Sequence, residues 1–563
     1  MTIKPFLFNK PAPNEWYEKR PELPRWLLDV LFNRLGRLDL IDTFLMPRFE
    51  DLPSPFLFSD MEKVVDRIIK AIQNGEKICI YADYDADAVT AAAVMIRGLR
   101  YIGANVTYYI PDRFTEGYGV NKDAIRKIIE DGSSVIITVD CGTNSNESAE
   151  EARKLGAAFI VTDHHEMLVP EFPVVGLINP KAPKESYPEK QITGVGVAYK
   201  VISALYSDDR VKNLNPDFVA GYEKWLLDLV AIGTVADCHS LIGENRIFVS
   251  FGLKVLHKTR WQGLLAMLDL SGSNEIDERT LGFTLAPRIN AAGRLEHASL
   301  ALDLLIEDDP QMAVKLALQL EQVNDRRKDL AARLVSEAKA KTFLNADKKI
   351  IIVYDENWPR GVVGLVASRL SNEFGKPSIV LEKGSEFSIG SARSVGSFDI
   401  ISALQAMKSH LHTFGGHKQA AGLTVLSSKL DEFTRDLEEY VEENMSEDDL
   451  QEYLAVDSVL DAQDLNLSSA AYLQKLKPFG VGNPSPLFSF QDNKISSWRA
   501  VGKDGKHLQF EFEIGSVRVP GIAFNAAHVP DKYGEQWPEM ACEVFIDNFG
   551  RPKVKVKLIA LKQ

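Results

Sequence analysis

Apolar positions follow two rhythms along the first half of the chain. Short apolar runs at 77–81, 134–139 and 157–162 predict buried strands, and 106–110 predicts a further strand. Between them, apolar residues recur every three or four positions and predict helices over 61–73, 90–96, 122–130 and 148–155. Continuous apolar strands alternating with helices predict a parallel sheet covered on both sides. The stretch 225–236 is apolar almost throughout and predicts a buried helix. Ahead of all this, residues 1–50 mix prolines with amphipathic pieces such as 26–32, as expected of a helical cap on the first domain.

The pattern changes twice further on. Helical spacing over 313–330 predicts a long connecting helix or helix pair within 296–345. A second α/β lobe follows over 346–450, with strands at 349–354 and 378–381, a helix at 362–373, and loops at 390–394 and 415–417. From 451 to 563, short alternating strands at 486–490, 507–513, 516–524, 540–546 and 554–561 are separated by turn residues and predict a small barrel. The expected fold class is therefore α/β: two α/β lobes joined by a long helix, plus a C-terminal β-barrel. The 563 residues suit three or four domains.

Composition narrows the function classes. With 45% hydrophobic residues the chain can bury several cores. Cys79, Cys141, Cys238 and Cys542 are far apart, which argues against a disulfide framework or a zinc site and fits a reducing cytoplasm. The N-terminus lacks a signal-peptide core, and no apolar run suits a membrane span. The net charge of −14 argues against a partner held mainly by non-specific phosphate attraction. A local basic groove remains compatible with it, because screening confines charge effects to about 8–10 Å.

The chemistry concentrates where strands end. Asp83, Asp85 and Asp87 alternate directly after the first strand and before a helix. One Asp there needs only a helix-capping role. Three crowded carboxylates repel one another unless a hard divalent cation neutralises them, and carboxylate oxygen suits Mg²⁺ or Mn²⁺. The third strand ends on Asp140, and the fourth on Asp163-His164-His165. A histidine pair alone is more often structural. If the strands are parallel, though, all these residues converge on one sheet edge, where ligand sites of open α/β sheets lie. Asp237 follows the buried helix and joins as a further acid, whereas Asp228, inside that helix, reads as a buried partner to another group.

In order and spacing, DYDAD at 83–87, VDCG at 139–142, DHH at 163–165 and GTVAD at 233–237 resemble the four motifs of the DHH phosphoesterase family. The resemblance extends to PDRFTEGYG at 111–119, TGVGVAY at 193–199, APRINAAGR at 286–294, GVVGLVASR at 361–369, GSARS at 390–394 and GGHKQAAG at 415–422. This wider set is similar to the family's single-strand-specific 5′→3′ exodeoxyribonucleases. One departure is that Ala88-Val89 stands where members commonly have glycine after the acids.

The resemblance implies a DHH catalytic domain at 51–295, a DHH-associated domain at 346–450 and an OB-like single-strand-binding domain at 451–563. It implies two Mn²⁺ or Mg²⁺ ions, with Asp85, Asp87, Asp140, His164 and Asp237 as principal ligands and Asp83 as an additional ligand or a partner that hydrogen-bonds to the ligands. Asp163 and His165 would orient ligands or stabilise charge on the phosphate. Arg113, Ser391 and Arg393 would hold a terminal 5′-phosphate, and His417 the scissile or a neighbouring phosphate. Arg288, Asn290 and Arg294 would complete the substrate-binding set. The implied partner is single-stranded DNA, with a single-strand-binding protein and a repair helicase suggested by the family's repair role, and nothing demands more than a monomer. Two other readings stay open: a DHH phosphodiesterase of small substrates such as oligoribonucleotides or cyclic dinucleotides, and a catalytically inactive DNA-binding scaffold.

Overall fold

A computed structural model describes residues 2–562 apart from 114, 118, 169–172, 273–274, 343–346, 451–452, 492 and 549–550. Phe114 and Tyr118 of the 111–119 motif, and the expected domain starts at 346 and 451, lie outside the described residues. The chain forms two compact units. One comprises Met1–Asn290, His297–Leu320 and Leu454–Gln563, the other Ala291–Glu296 and Glu321–Tyr453.

The first unit holds a five-stranded sheet made of β1 (Lys77–Ala82), β2 (Asn105–Tyr109), β3 (Ser133–Val139), β4 (Ala158–Thr162) and β5 (Gly176–Ile178). The order is β2-β1-β3-β4-β5 and every pairing is parallel. The uninterrupted apolar runs have the expected cause: Ile78–Ala82 and Val135–Val139 are buried but for little, because helices cover both faces. The chain leaves β1 to one side and returns on the other at β3. That reversal opens a crevice at the carboxyl ends of the two strands.

Register turns this crevice into a row of site residues. Ala82 pairs with Val139, Val139 with Thr162, and Thr162 with Ile178. The next residue of each strand is Asp83, Asp140, Asp163 and Asn179, so these four start from adjacent edge positions. Helices α1 (Ala86–Tyr101), α2 (Gly194–Ser207) and α3 (Leu227–Ala236) complete the core around them. Asp228 is fully buried in α3 and accepts hydrogen bonds from Thr259 Oγ1 at 2.7 Å and Trp261 Nε1 at 3.1 Å, the partner role expected of it.

The C-terminal strands of the same unit pair in the path Ser458–Val459, Phe488–Phe490, Met540–Asp547, Lys553–Lys562, Val517–Ala523, His507–Ile514 and Lys494–Val501. Among the described residues this path is open, whereas a barrel was expected. Lys494–Val501, which the pattern missed, is an edge strand in which Ile495 is buried and 496–500 are exposed, so it carries no apolar alternation. The N-terminal helices, expected as a cap on the first domain, contribute instead to the core of this sheet. Trp16, Trp26, Leu27 and Leu31 cluster with Phe488, Phe490 and Phe510, and Trp26 meets Phe488 edge-on at 5.3 Å. Thr2–Lys4 adds a parallel strand to Lys553–Lys562.

Two further helices, α4 (Ala286–Leu295) and the 33-residue α5 (Pro310–Thr342), run from the first unit's residues into the second's. The second unit has a sheet of β6 (Ile351–Asp355), β7 (Ser378–Lys383), β8 (Phe387–Arg393), β9 (Leu411–His417) and β10 (Ala420–Leu426), with helix α6 (Arg360–Phe374). The order is β9-β10-β8-β7-β6, parallel only between β6 and β7. Here the expectation of loops at 390–394 and 415–417 is corrected: Gly390–Arg393 lies in β8 and Gly415–His417 in β9. At Gly390 the glycine marks close backbone approach rather than a turn. A Cβ on Gly390 would meet the Val380 carbonyl oxygen at 2.5 Å and Leu381 Cγ at 2.6 Å.

Candidate metal centre

The acidic loop is held at both ends. Asp85 caps α1 by accepting from Ala88 N–H at 3.0 Å, and Ala86 N–H donates to Asn290 Oδ1 at 3.0 Å. Side-chain capping does the work that a glycine turn would otherwise do after the acids. Asp87, in the first turn of the helix, accepts from Gly194 N–H at 2.8 Å and Val195 N–H at 2.9 Å, the opening amides of α2. Those unpaired amides and the helix dipole favour a carboxylate there. Asp140 adopts the left-handed region with φ 57°, rare for a residue with a side chain and common at functional sites.

Glycines make room for this crowd. A methyl group on Gly194 would lie 2.6 Å from Asp140 Cγ, and one on Gly233 would lie 2.8 Å from Asp87 Oδ1. His164 Nε2 approaches Asp140 Oδ1 at 3.0 Å and Asp237 Oδ2 at 3.7 Å. Neither oxygen has a hydrogen-bond partner, and Asp83 Oδ1 and His164 Nδ1 are likewise buried without one. Buried polar atoms without partners are costly. The orphaned oxygens of Asp140 and Asp237 gathered about His164 fit a cation, and carboxylate with imidazole is a suitable donor set for Mn²⁺ or Mg²⁺.

Electrostatics agree. Burial, then the Asp85 charge, pushes the Asp83 carboxyl up to about 7. Burial, then neighbouring acids, holds Asp87 and Asp140 well above the usual carboxylate range. Burial lowers His164 to about 4, so at neutral pH it presents an uncharged ring, the form that ligates metals. Asp163 behaves oppositely: burial opposes it, yet hydrogen bonds from His165 Nδ1 at 2.7 Å and Thr143 N–H at 2.9 Å hold its carboxyl below the usual range. His165 is raised against its own burial by the same pairing.

The remaining expected residues lie in both units. In the first unit, Arg113 stacks over the Tyr84 ring with its guanidinium carbon 4.7 Å from the centroid, and its charge acts on Asp83. Arg288 donates to the Thr284 carbonyl at 2.7 Å. Asn290 grips the acidic loop through Ala86. In the second unit, Arg294 donates to the Gly361 carbonyl at 3.2 Å. Arg393 donates to Ser391 Oγ at 2.7 Å and Ser368 Oγ at 3.0 Å, and Gly364 opens the space beside them. His417 ends β9, exposed.

Two residues near the centre escaped the sequence reading. Asn179 donates to Thr143 Oγ1 at 2.8 Å and to the His165 carbonyl at 2.9 Å, tying the DHH turn to the Asp140 loop. It is the first residue after a strand, the same signal that marked Asp140 and Asp163. His239 lies 3.1 Å from Asp237 Oδ2, two positions beyond an acid already singled out.

Comparison with known proteins agrees with this architecture. The DHH family N-terminal domain matches residues 77–234, the DHHA1 domain 347–443 and the RecJ OB domain 456–559. The chain is 38% identical over 494 residues to the single-stranded-DNA-specific exonuclease RecJ of Bacillus subtilis, covering 87% of this chain and 61% of that relative. It is 33% identical over 488 residues to RecJ of Haemophilus influenzae, covering 83% of this chain and 84% of that one. The crystal structure of Thermus thermophilus RecJ in complex with Mn²⁺ superposes with a TM-score of 0.82 at 27% identity, covering 99% of this chain and 80% of that one.

Proposed function

This chain belongs to the RecJ family, and from that premise we propose that it is a metal-dependent exonuclease of single-stranded DNA. Our reading is that it works 5′→3′, releases nucleoside 5′-monophosphates, and serves recombination and repair. The carrying observation is the set of orphaned oxygens on Asp140 and Asp237 around an uncharged His164 at the sheet's switch point. Two divalent ions, Mn²⁺ or Mg²⁺, would supply Lewis-acid activation of water and of the phosphodiester.

The chain's own residues do the rest. Asp85, Asp87, Asp140, His164 and Asp237 would hold the ions, with Asp83 as an additional ligand. Each oxygen of Asp87 keeps a lone pair beyond its bond from α2, so the helix orients the carboxylate without exhausting it. Asp163 fixes the His165 ring through Nδ1 and favours its protonated form, which would offset charge on the phosphate. Arg113, Ser391 and Arg393 would grip the terminal 5′-phosphate, and His417 a neighbouring one. Arg288, Asn290 and Arg294 would complete the substrate contacts. In the same reading, 51–295 cuts, 346–450 grips and 451–563 holds the strand.

A monomer in a reducing cytoplasm, receiving strands from a single-strand-binding protein and a repair helicase, completes the proposal. The four cysteines are all unpaired, in keeping with such a compartment. No helix among the described residues is long and apolar enough to cross a membrane.

The test uses matched single strands labelled at the 5′ or the 3′ end, with Mn²⁺. Labelled mononucleotide should appear at once from the 5′ label only, and Asp140→Ala should abolish it. Cleavage confined to dinucleotides would favour a small-substrate phosphodiesterase. Binding without any cleavage would favour the scaffold.

A further inference from the structure

His239 has no role in the centre as described, and its surroundings supply one. Its Nδ1 lies 2.9 Å from the Gln191 carbonyl oxygen. A carbonyl only accepts, so Nδ1 carries a proton. Buried Asn245 donates to the same carbonyl at 2.6 Å and steadies it. The other nitrogen, Nε2, is thereby turned to Asp237 Oδ2 at 3.1 Å, an oxygen with no hydrogen-bond partner. The His239 ring stands 4.9 Å from that of His164, and donor atoms of His164, Asp237 and His239 all lie within 4.8 Å of one another. A backbone carbonyl gripping one ring nitrogen while the other faces an acid cluster is how metal-ligating histidines are oriented.

We propose that His239, through Nε2, is a ligand of the divalent centre, sharing an ion with Asp237 and His164. The proposal rests on the metal-centre reading above. It also gives the residue a consequence. Imidazole suits transition ions better than Mg²⁺, which prefers oxygen, so His239 biases the site toward Mn²⁺.

The experiment measures Mn²⁺ and Mg²⁺ binding to the ion-free full chain by calorimetry, for the unaltered protein, His239→Asn and Asp140→Ala. His239→Asn should weaken Mn²⁺ by roughly tenfold or more and Mg²⁺ by less than about threefold. Electron spin-echo modulation of the Mn²⁺-loaded unaltered protein, which needs no variant, should count two imidazole nitrogens on one ion. Equal weakening of both ions, unchanged affinities, or a count of one nitrogen would overturn the assignment. If Asp140→Ala loses the ions while His239→Asn does not, only this inference falls. If the unaltered protein binds neither ion, the metal-centre reading falls with it.

Discussion

The parallel sheet of the first unit and the mixed sheet of the second present their site residues in different ways. In the first, side chains with a chemical task sit just past the strands, where Ala82, Val139, Thr162 and Ile178 come into register. In the second, Ser391 and Arg393 sit inside β8. Burial there alternates: Ser388, Gly390 and Ala392 face in, while Ile389, Ser391 and Arg393 face partly out. A parallel strand buried on both faces has no free face to offer, so its chemistry is pushed to the end. A strand with one open face can carry it along its length.

The sharpest way to break this comparison is to crowd the strand-end site. Gly194→Ala would push a methyl group into Asp140, and a displacement approaching 1 Å should cost about 10²-fold in nucleotide release. Equal activity would mean that α2 does not set the carboxylate. On the strand-face site the matching change is Gly390→Ala, whose methyl meets the backbone of β7. It should destabilise the chain by about 1–3 kcal/mol in denaturant unfolding.

Proton linkage separates the regions next. Asp83, Asp87 and Asp140 have folded pKa values raised above those of an unfolded chain, near 4. Such groups add stability that is complete below about pH 4 and is lost as pH rises through the folded values, for Asp83 about 7. The ion-free melting midpoint should therefore fall from pH 5 to 8, and saturating Mn²⁺ should flatten that fall by replacing the protons. A flat ion-free profile would contradict the crowding.

Arg393→Lys should raise KM about tenfold on 5′-phosphorylated strands and change kcat little, because the planar fork held by Ser391 and Ser368 is lost while the charge remains. The smallest effect belongs to Gly415→Ala. Nothing lies within 4 Å of the added methyl, so stability should stay within about 0.5 kcal/mol.

These cases also mark how far the sequence could be read. Met61–Gln73 and Lys122–Glu130 form with the expected bounds, because an amphipathic stripe with polar flanks defines a helix locally. The acids after β1, β3 and β4 were legible because three apolar runs each ended on one. Gly390 and Gly415 misled because glycine suits a tight turn, yet both lie in strands, Gly390 where a neighbour at 2.5 Å leaves no room for a side chain and Gly415 where nothing stands within 4 Å. Asn179 and His239 were hidden for a similar reason: an amide or a lone histidine acquires meaning from what faces it.

By itself, then, the chain determined which segments are strands and helices over most of its first half, and which residue types could gather a divalent ion. Apolar spacing and strand-end residues are local properties, and local order carries them. Only the tertiary structure decided that the order is β2-β1-β3-β4-β5, that α2 donates its first amides to Asp87, and that the N-terminal helices enter the C-terminal core. The last two depend on contacts such as those between residues 107 and 443 positions apart, and no periodicity in a one-dimensional pattern encodes which distant apolar face completes which core.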